Sequence, residues 1–131
     1  MDELNRLMAE EAEAFLRYFQ LRYRLRGSDL LVADNFIKSA MQETLEHAQE
    51  IAGKIRLLGH TPRLEINLSL GGGPVKLQEA LAEALEFERQ ALDAYKEFLP
   101  RVEGDPTLED FIRKQIAVES EHVQEISMFL E

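Results

Sequence analysis

Ala117-Val118-Glu119-Ser120-Glu121-His122-Val123 sets a carboxylate and an imidazole three residues apart within an uninterrupted helical pattern. At that spacing Glu119 and His122 leave one face of a helix, a turn apart. On an inward face, such a pair supplies the oxygen and nitrogen donors with which helix bundles hold cations in their cores. On an outward face it is a solvated Glu beside a packed His, so the motif gains meaning only from partners elsewhere in the chain.

Those partners depend on the elements around it. Leu108, Phe111, Ile112, Val118, Val123, Ile126, Phe129 and Leu130 recur at helical spacing, and Gly104-Asp105-Pro106 places an N-cap and a first-turn proline before them. The spacing predicts a fourth helix over about 106–131 and a third over about 75–99, the latter carrying Leu81, Leu85, Leu92, Tyr95 and Leu99 and closed by Pro100. A first helix is predicted over about 2–26 from Leu4, Leu7, Met8, Glu11, Phe15, Tyr18, Arg22 and Leu25, with Gly27 as its stop. Ser28 or Asp29 is then positioned to cap a second helix over about 29–58, whose inward stripe is Ile37, Met41, Thr44, Ala48, Ile51, Ile55 and Leu58. Short connections within each pair force antiparallel hairpins.

Residues 60–74 break the pattern with Pro62, Pro74, three consecutive glycines and an apolar alternation from Leu64 to Leu68. This is the one long connection, read as a crossover. Gly71-Gly72-Gly73 lacks the Gly-Lys-Ser/Thr of a phosphate loop and reads as a hinge, and His60 as a surface residue. The expected architecture is all-α: one domain over 1–131, a four-helix bundle of two antiparallel hairpins with a single long crossover.

Composition narrows the function. A net charge of −10, from 25 acidic and 15 basic residues, is the wrong sign for a nucleic-acid surface, whereas carboxylates gathered around cations would add to it. The absence of cysteine rules out thiolate ligands, disulfides and Cys nucleophiles. Neither a signal-like N-terminus nor a run long enough to span a membrane is present, and a cytoplasmic location is expected.

An internal repeat supplies candidate partners for the opening motif. Glu11 precedes His47 by 36 residues and Glu86 precedes His122 by the same number, which superposes the first two helices on the last two at an offset of 75. A buried, unpaired carboxylate is costly, and a cation is the partner that accounts for several at once. Two close cations need anionic oxygens around and between them, with imidazoles completing the shell without adding charge. The repeat delivers Glu11, His47, Glu86, Glu119 and His122, while the sixth place is Thr44.

With these residues the whole chain resembles the ferritin-like superfamily of di-iron carboxylate proteins, bacterioferritin and rubrerythrin-type bundles most of all. The segments carrying the resemblance are EAEAFLRYF with Glu11 and Tyr18, ETLEHAQEI with His47, ALEFERQAL with Glu86, and VESEH with Glu119 and His122. It implies iron bound by Glu11, Glu86 and Glu119, the last bridging, with His47 and His122 as terminal ligands and Tyr18 as a phenol beside the metals. Dioxygen or peroxide would be the oxidant.

Three departures qualify that expectation. Thr44 stands where the family carries a bridging Glu; Glu43, one turn before His47, is the candidate substitute, and Glu46 reads as a rim residue. Leu45 stands where bacterioferritin has its haem-ligating Met, so no haem is expected, and Met41 reads as core. The chain runs only nine residues past His122, without the fifth helix of large shells, so a homodimer or small homo-oligomer is expected. Two other readings remain beside a di-metal oxidase: a non-catalytic module holding one Fe, Mn or Zn, and a metal-free scaffold acting through protein contacts.

Overall fold

The computed structural model describes residues 1–131 and contains four helices and no strand: α1 (Asp2–Arg24), α2 (Gly27–Leu57), α3 (Leu77–Val102) and α4 (Pro106–Phe129). None of these helices is long and apolar enough to cross a membrane. The chain divides into two compact units, residues 1–80 and 81–131.

In the first unit, α1 buries Leu4, Leu7, Met8, Glu11, Ala14, Tyr18 and Leu21, and α2 buries Ala33, Ile37, Ala40, Thr44, His47, Ala48, Ile51 and Ile55. Apart from the adjacent pairs Leu7–Met8 and His47–Ala48, steps of three and four keep each set on one stripe. The pairs Arg22–Asp34, Tyr18–Phe36 and Glu11–His47 show the helices running antiparallel, since one number rises as the other falls. Met41 is only half-buried and Leu58 is exposed, so both lie outside the stripe expected for them.

The hairpin turn differs from expectation. α1 ends at Arg24, and Leu25 is extended and buried, bridged to Val75, whose N–H donates to the Arg24 carbonyl at 3.0 Å. Gly27, at a φ of +59°, opens α2 instead of closing α1, a backbone conformation that other residues adopt only with strain. Asp29 does not cap its own helix; its carboxylate accepts from the Leu77 N–H at 3.1 Å and so caps α3. α2 closes on Gly59, whose N–H donates to the Arg56 carbonyl while His60 donates to Ile55, the paired bonds of a Schellman cap.

The crossover is tied along α1. Asn5 and Glu13 accept from the N–H groups of Arg63 and Asn67, and Gln20 and Arg24 donate to the carbonyls of Gly71 and Gly73. The glycine run is therefore an anchored strap, and not the flexible hinge that its composition suggests. His60 is exposed in this segment, as expected.

In the second unit, α3 buries Ala84, Glu88, Ala91, Tyr95, Phe98 and Val102, spaced by four and three, with Leu92 and Ala94 buried beside them. The helix does not stop before Pro100, which lies inside it. Burial of Phe98 and Val102 holds the last turn in place around the proline, whose missing N–H leaves one carbonyl to find another partner. The expected start at 75 and end at 99 thus both move later in the sequence, to Leu77 and Val102. α4 begins at its cap, with the Asp105 carboxylate accepting from the Leu108 N–H at 3.3 Å and Pro106 in the first turn. Its buried residues are Phe111, Ile112, Gln115, Glu119 and Ile126, whereas Phe129 is exposed.

Candidate metal centre

Each hairpin carries its own group of donors. In the first, Glu11 from α1 is 2% exposed and its Oε2 lies 3.3 Å from His47 Nδ1 of α2. Burial acts to lower the His47 pKa, but the hydrogen bond and charge of Glu11, joined by Glu50 and Glu43, raise it overall. Thr44 is buried one turn before His47, and its hydroxyl donates back to the Ala40 and Met41 carbonyls at 2.9 and 3.0 Å. That bonding satisfies the hydroxyl within its own helix and supplies no anion. Glu43 is half-buried beside it, Glu46 and Leu45 are exposed, and Tyr18 is fully buried with its ring edge-on to Phe36.

In the second hairpin, His122 Nδ1 lies 3.4 Å from Glu88 Oε2 and 3.6 Å from Glu119 Oε2. Glu88 and Glu119 are buried, at 4% and 2% exposure, and donor atoms of all three residues lie within 4.8 Å of one another. The opening motif therefore does face inward, and its α3 partner is Glu88. Glu86, expected in that role, is exposed and accepts from the Gln90 side chain at 3.4 Å. Two residues along a helix is a turn of about 200°, which puts Glu86 on the side opposite Glu88.

The signal that separates them is present in the sequence. Glu11 and Tyr18 are seven apart, as are Glu88 and Tyr95, both tyrosines being fully buried. Matching these pairs sets α1 on α3 at an offset of 77, with Ala14 on Ala91, Leu21 on Phe98 and Leu25 on Val102, all buried. α2 matches α4 at 75, with Ile37 on Ile112, Thr44 on Glu119, His47 on His122 and Ile51 on Ile126. The repeat thus slips by two residues between the helices of a hairpin, and a single offset misplaces one carboxylate.

The chemistry of the second group fits a cation. Two buried carboxylates facing one another repel, and solvent screens them little, so positive charge between them is needed. Without a metal, a proton on His122 supplies it: burial acts most strongly and lowers the pKa, but hydrogen bonds and charges from Glu119 and Glu88 outweigh it and push it up to about 11. Two carboxylate oxygens and one imidazole nitrogen are donors suited to Fe(II), Mn(II) or Zn(II).

A pH dependence follows for the metal-free protein. The His122 contact stabilises the fold fully below the unfolded pKa of about 6.5 and is lost as pH rises through about 11. Between these limits wild-type stability falls with rising pH relative to His122→Gln, by on the order of 1 kcal/mol per pH unit at most. Urea unfolding in chelator at pH 7.5 and 9 reads this difference, and parallel profiles for the two proteins would contradict it.

The Ferritin-like domain family matches residues 1–131. No curated protein matches the sequence. Among solved structures, a ferritin-like, diiron-carboxylate protein of Bacillus anthracis str. Ames is similar at 24% identity and a TM-score of 0.89, over 99% of this chain and 94% of that one. A point mutant of Listeria innocua Dps shares 17% identity at a TM-score of 0.90, over 98% and 93%. An open pore ferritin of the archaeon Archaeoglobus fulgidus shares 16% at 0.81, over 98% and 80%. At these identities the structural likeness establishes the all-α, four-helix fold.

Proposed function

The chain belongs to the ferritin-like domain family, and on that premise we propose that it binds iron through buried carboxylates and histidines and promotes Fe(II) oxidation by dioxygen or peroxide. The observation that carries this reading is the convergence of Glu88, Glu119 and His122, three donors on two helices with both carboxylates buried. They are the residues that would hold a cation most firmly. Glu11 and His47 form a second, weaker set, because Thr44 contributes a neutral hydroxyl where the other hairpin has Glu119.

Bound iron supplies one-electron chemistry toward oxygen, which no side chain here could provide. The protein's part is to hold anionic oxygens ready, where a rise from Fe(II) to Fe(III) is favoured by nearby negative charge. His122 must surrender its proton to act as a ligand, so binding releases a proton and weakens in acid. Tyr18 and Tyr95, each two turns from a donor Glu, are phenols placed on the same buried faces. The exposed Leu64, Ile66 and Leu70 of the crossover support self-association, as a homodimer or small homo-oligomer.

Anaerobic loading with Fe(II) followed by mixing with oxygenated buffer tests the activity. Oxidation faster than in buffer alone is expected, and it should fall to the buffer rate in Glu119→Gln. A wild-type rate equal to buffer would refute the oxidase reading, and bound but unreactive metal would favour a binding module.

A further inference from the structure

Gln115 of α4 is 1% exposed, and its side-chain oxygen has no hydrogen-bond donor. A core amide in that condition is costly, whereas leucine would fill similar space without the penalty. The residue lies four positions before Glu119 on the buried face of α4. Side chains in a helix lean toward its N-terminus, so the Glu119 carboxylate leans over the turn that carries Gln115. The corresponding place in the other hairpin, at the offset of 75, is Ala40. The polar residue thus accompanies Glu119, and a methyl group accompanies Thr44.

The side chains of the donor group offer this oxygen no hydrogen. Glu88 and Glu119 only accept when ionised, and His122 Nδ1 is directed at those two carboxylates. Water carried by a bound cation is a donor that the group acquires on loading. We propose that Gln115 is a positioning residue of the metal centre, its side-chain oxygen accepting a hydrogen bond from water on the cation that Glu88, Glu119 and His122 hold. This rests on the metal-binding reading above. Outer hydrogen-bonding partners of this kind orient what the direct ligands leave free.

The test is titration of the full-length, metal-free protein with Co(II), followed by its visible absorption, together with thermal melts with and without Co(II). In Gln115→Leu the Co(II) dissociation constant is expected to rise about tenfold, and the upward Tm shift on adding Co(II) to shrink. The metal-free melting temperature should equal or exceed that of the wild type, because an unsatisfied polar atom has been removed. Gln115→Glu keeps an oxygen at the same reach and should hold the affinity within about threefold of wild type. Co(II) binding by Gln115→Leu as tight as by the wild type would overturn the proposal, as would equal losses in both variants. Failure of the wild type itself to bind Co(II) would instead refute the metal-centre reading, and this inference with it.

Discussion

Glu88→Gln is expected to weaken Co(II) or Fe(II) binding by about a hundredfold or more, while Glu86→Gln changes it less than about twofold. The first substitution removes a buried anion from a group in which it faces a second carboxylate and an imidazole. Loss of one charge-assisted ligand contact removes several kcal/mol of attraction that solvent does not screen, and a hundredfold is only about 2.7 kcal/mol. The second removes a charge from an exposed side chain on the opposite face of α3, where interactions are worth a few tenths of a kcal/mol. Competition with a coloured chelator measures both. A larger loss from Glu86→Gln than from Glu88→Gln would mean that α3 presents the other face.

Thr44→Glu should produce the second large effect, and of opposite sign in the two states. Thr44 is 5% exposed and its hydroxyl is bonded within α2, so a carboxylate there is buried without its present satisfaction. Metal-free protein is expected to lose about 3 kcal/mol, the usual cost of an uncompensated buried charge. Cation binding then recovers it: a ligand at about a hundred times its dissociation constant returns about 2.7 kcal/mol. The variant should therefore melt lower than wild type in chelator, shift further upward with Co(II), and bind more cation per chain. A flat or reduced occupancy would show that position 44 does not address the cation.

Which parts of this are legible in the sequence follows from how each residue announces itself. Asp105-Pro106 marks the start of α4, and the regular spacing through Glu119 and His122 fixes their inward face. Thr44 is likewise placed inward by the isoleucines around it. α3 misleads because the repeat, read at one offset of 75, selects Glu86 from its distance to His122, although the buried Leu92 and Tyr95, four and seven residues after Glu88, mark the inward stripe. Steps of four and three from Leu81 through Leu85, Leu92, Tyr95 and Leu99 pass through Glu88 and not through Glu86. The paired Glu-to-Tyr spacing is the signal that corrects it.

The turns are less legible, because long-range bonds decide them. Leu25 leaves α1 to bridge Val75, and Asp29 caps a helix that begins 48 residues later, interactions with no local signature. Pro100 is tolerated because packing of Phe98 and Val102 outweighs one lost backbone bond, a balance that local propensity does not contain. Gln115 carries no expectation at all: a polar residue on an apolar stripe acquires meaning only from what surrounds it.

The most direct measurement is iron per chain after anaerobic equilibration with Fe(II) and removal of free metal, by elemental analysis of the wild type and of Glu119→Gln. At least one iron per wild-type chain and almost none in the variant is the expected result. Wild-type protein that retains no iron, or a variant that retains as much as wild type, would contradict a metal centre at Glu88, Glu119 and His122.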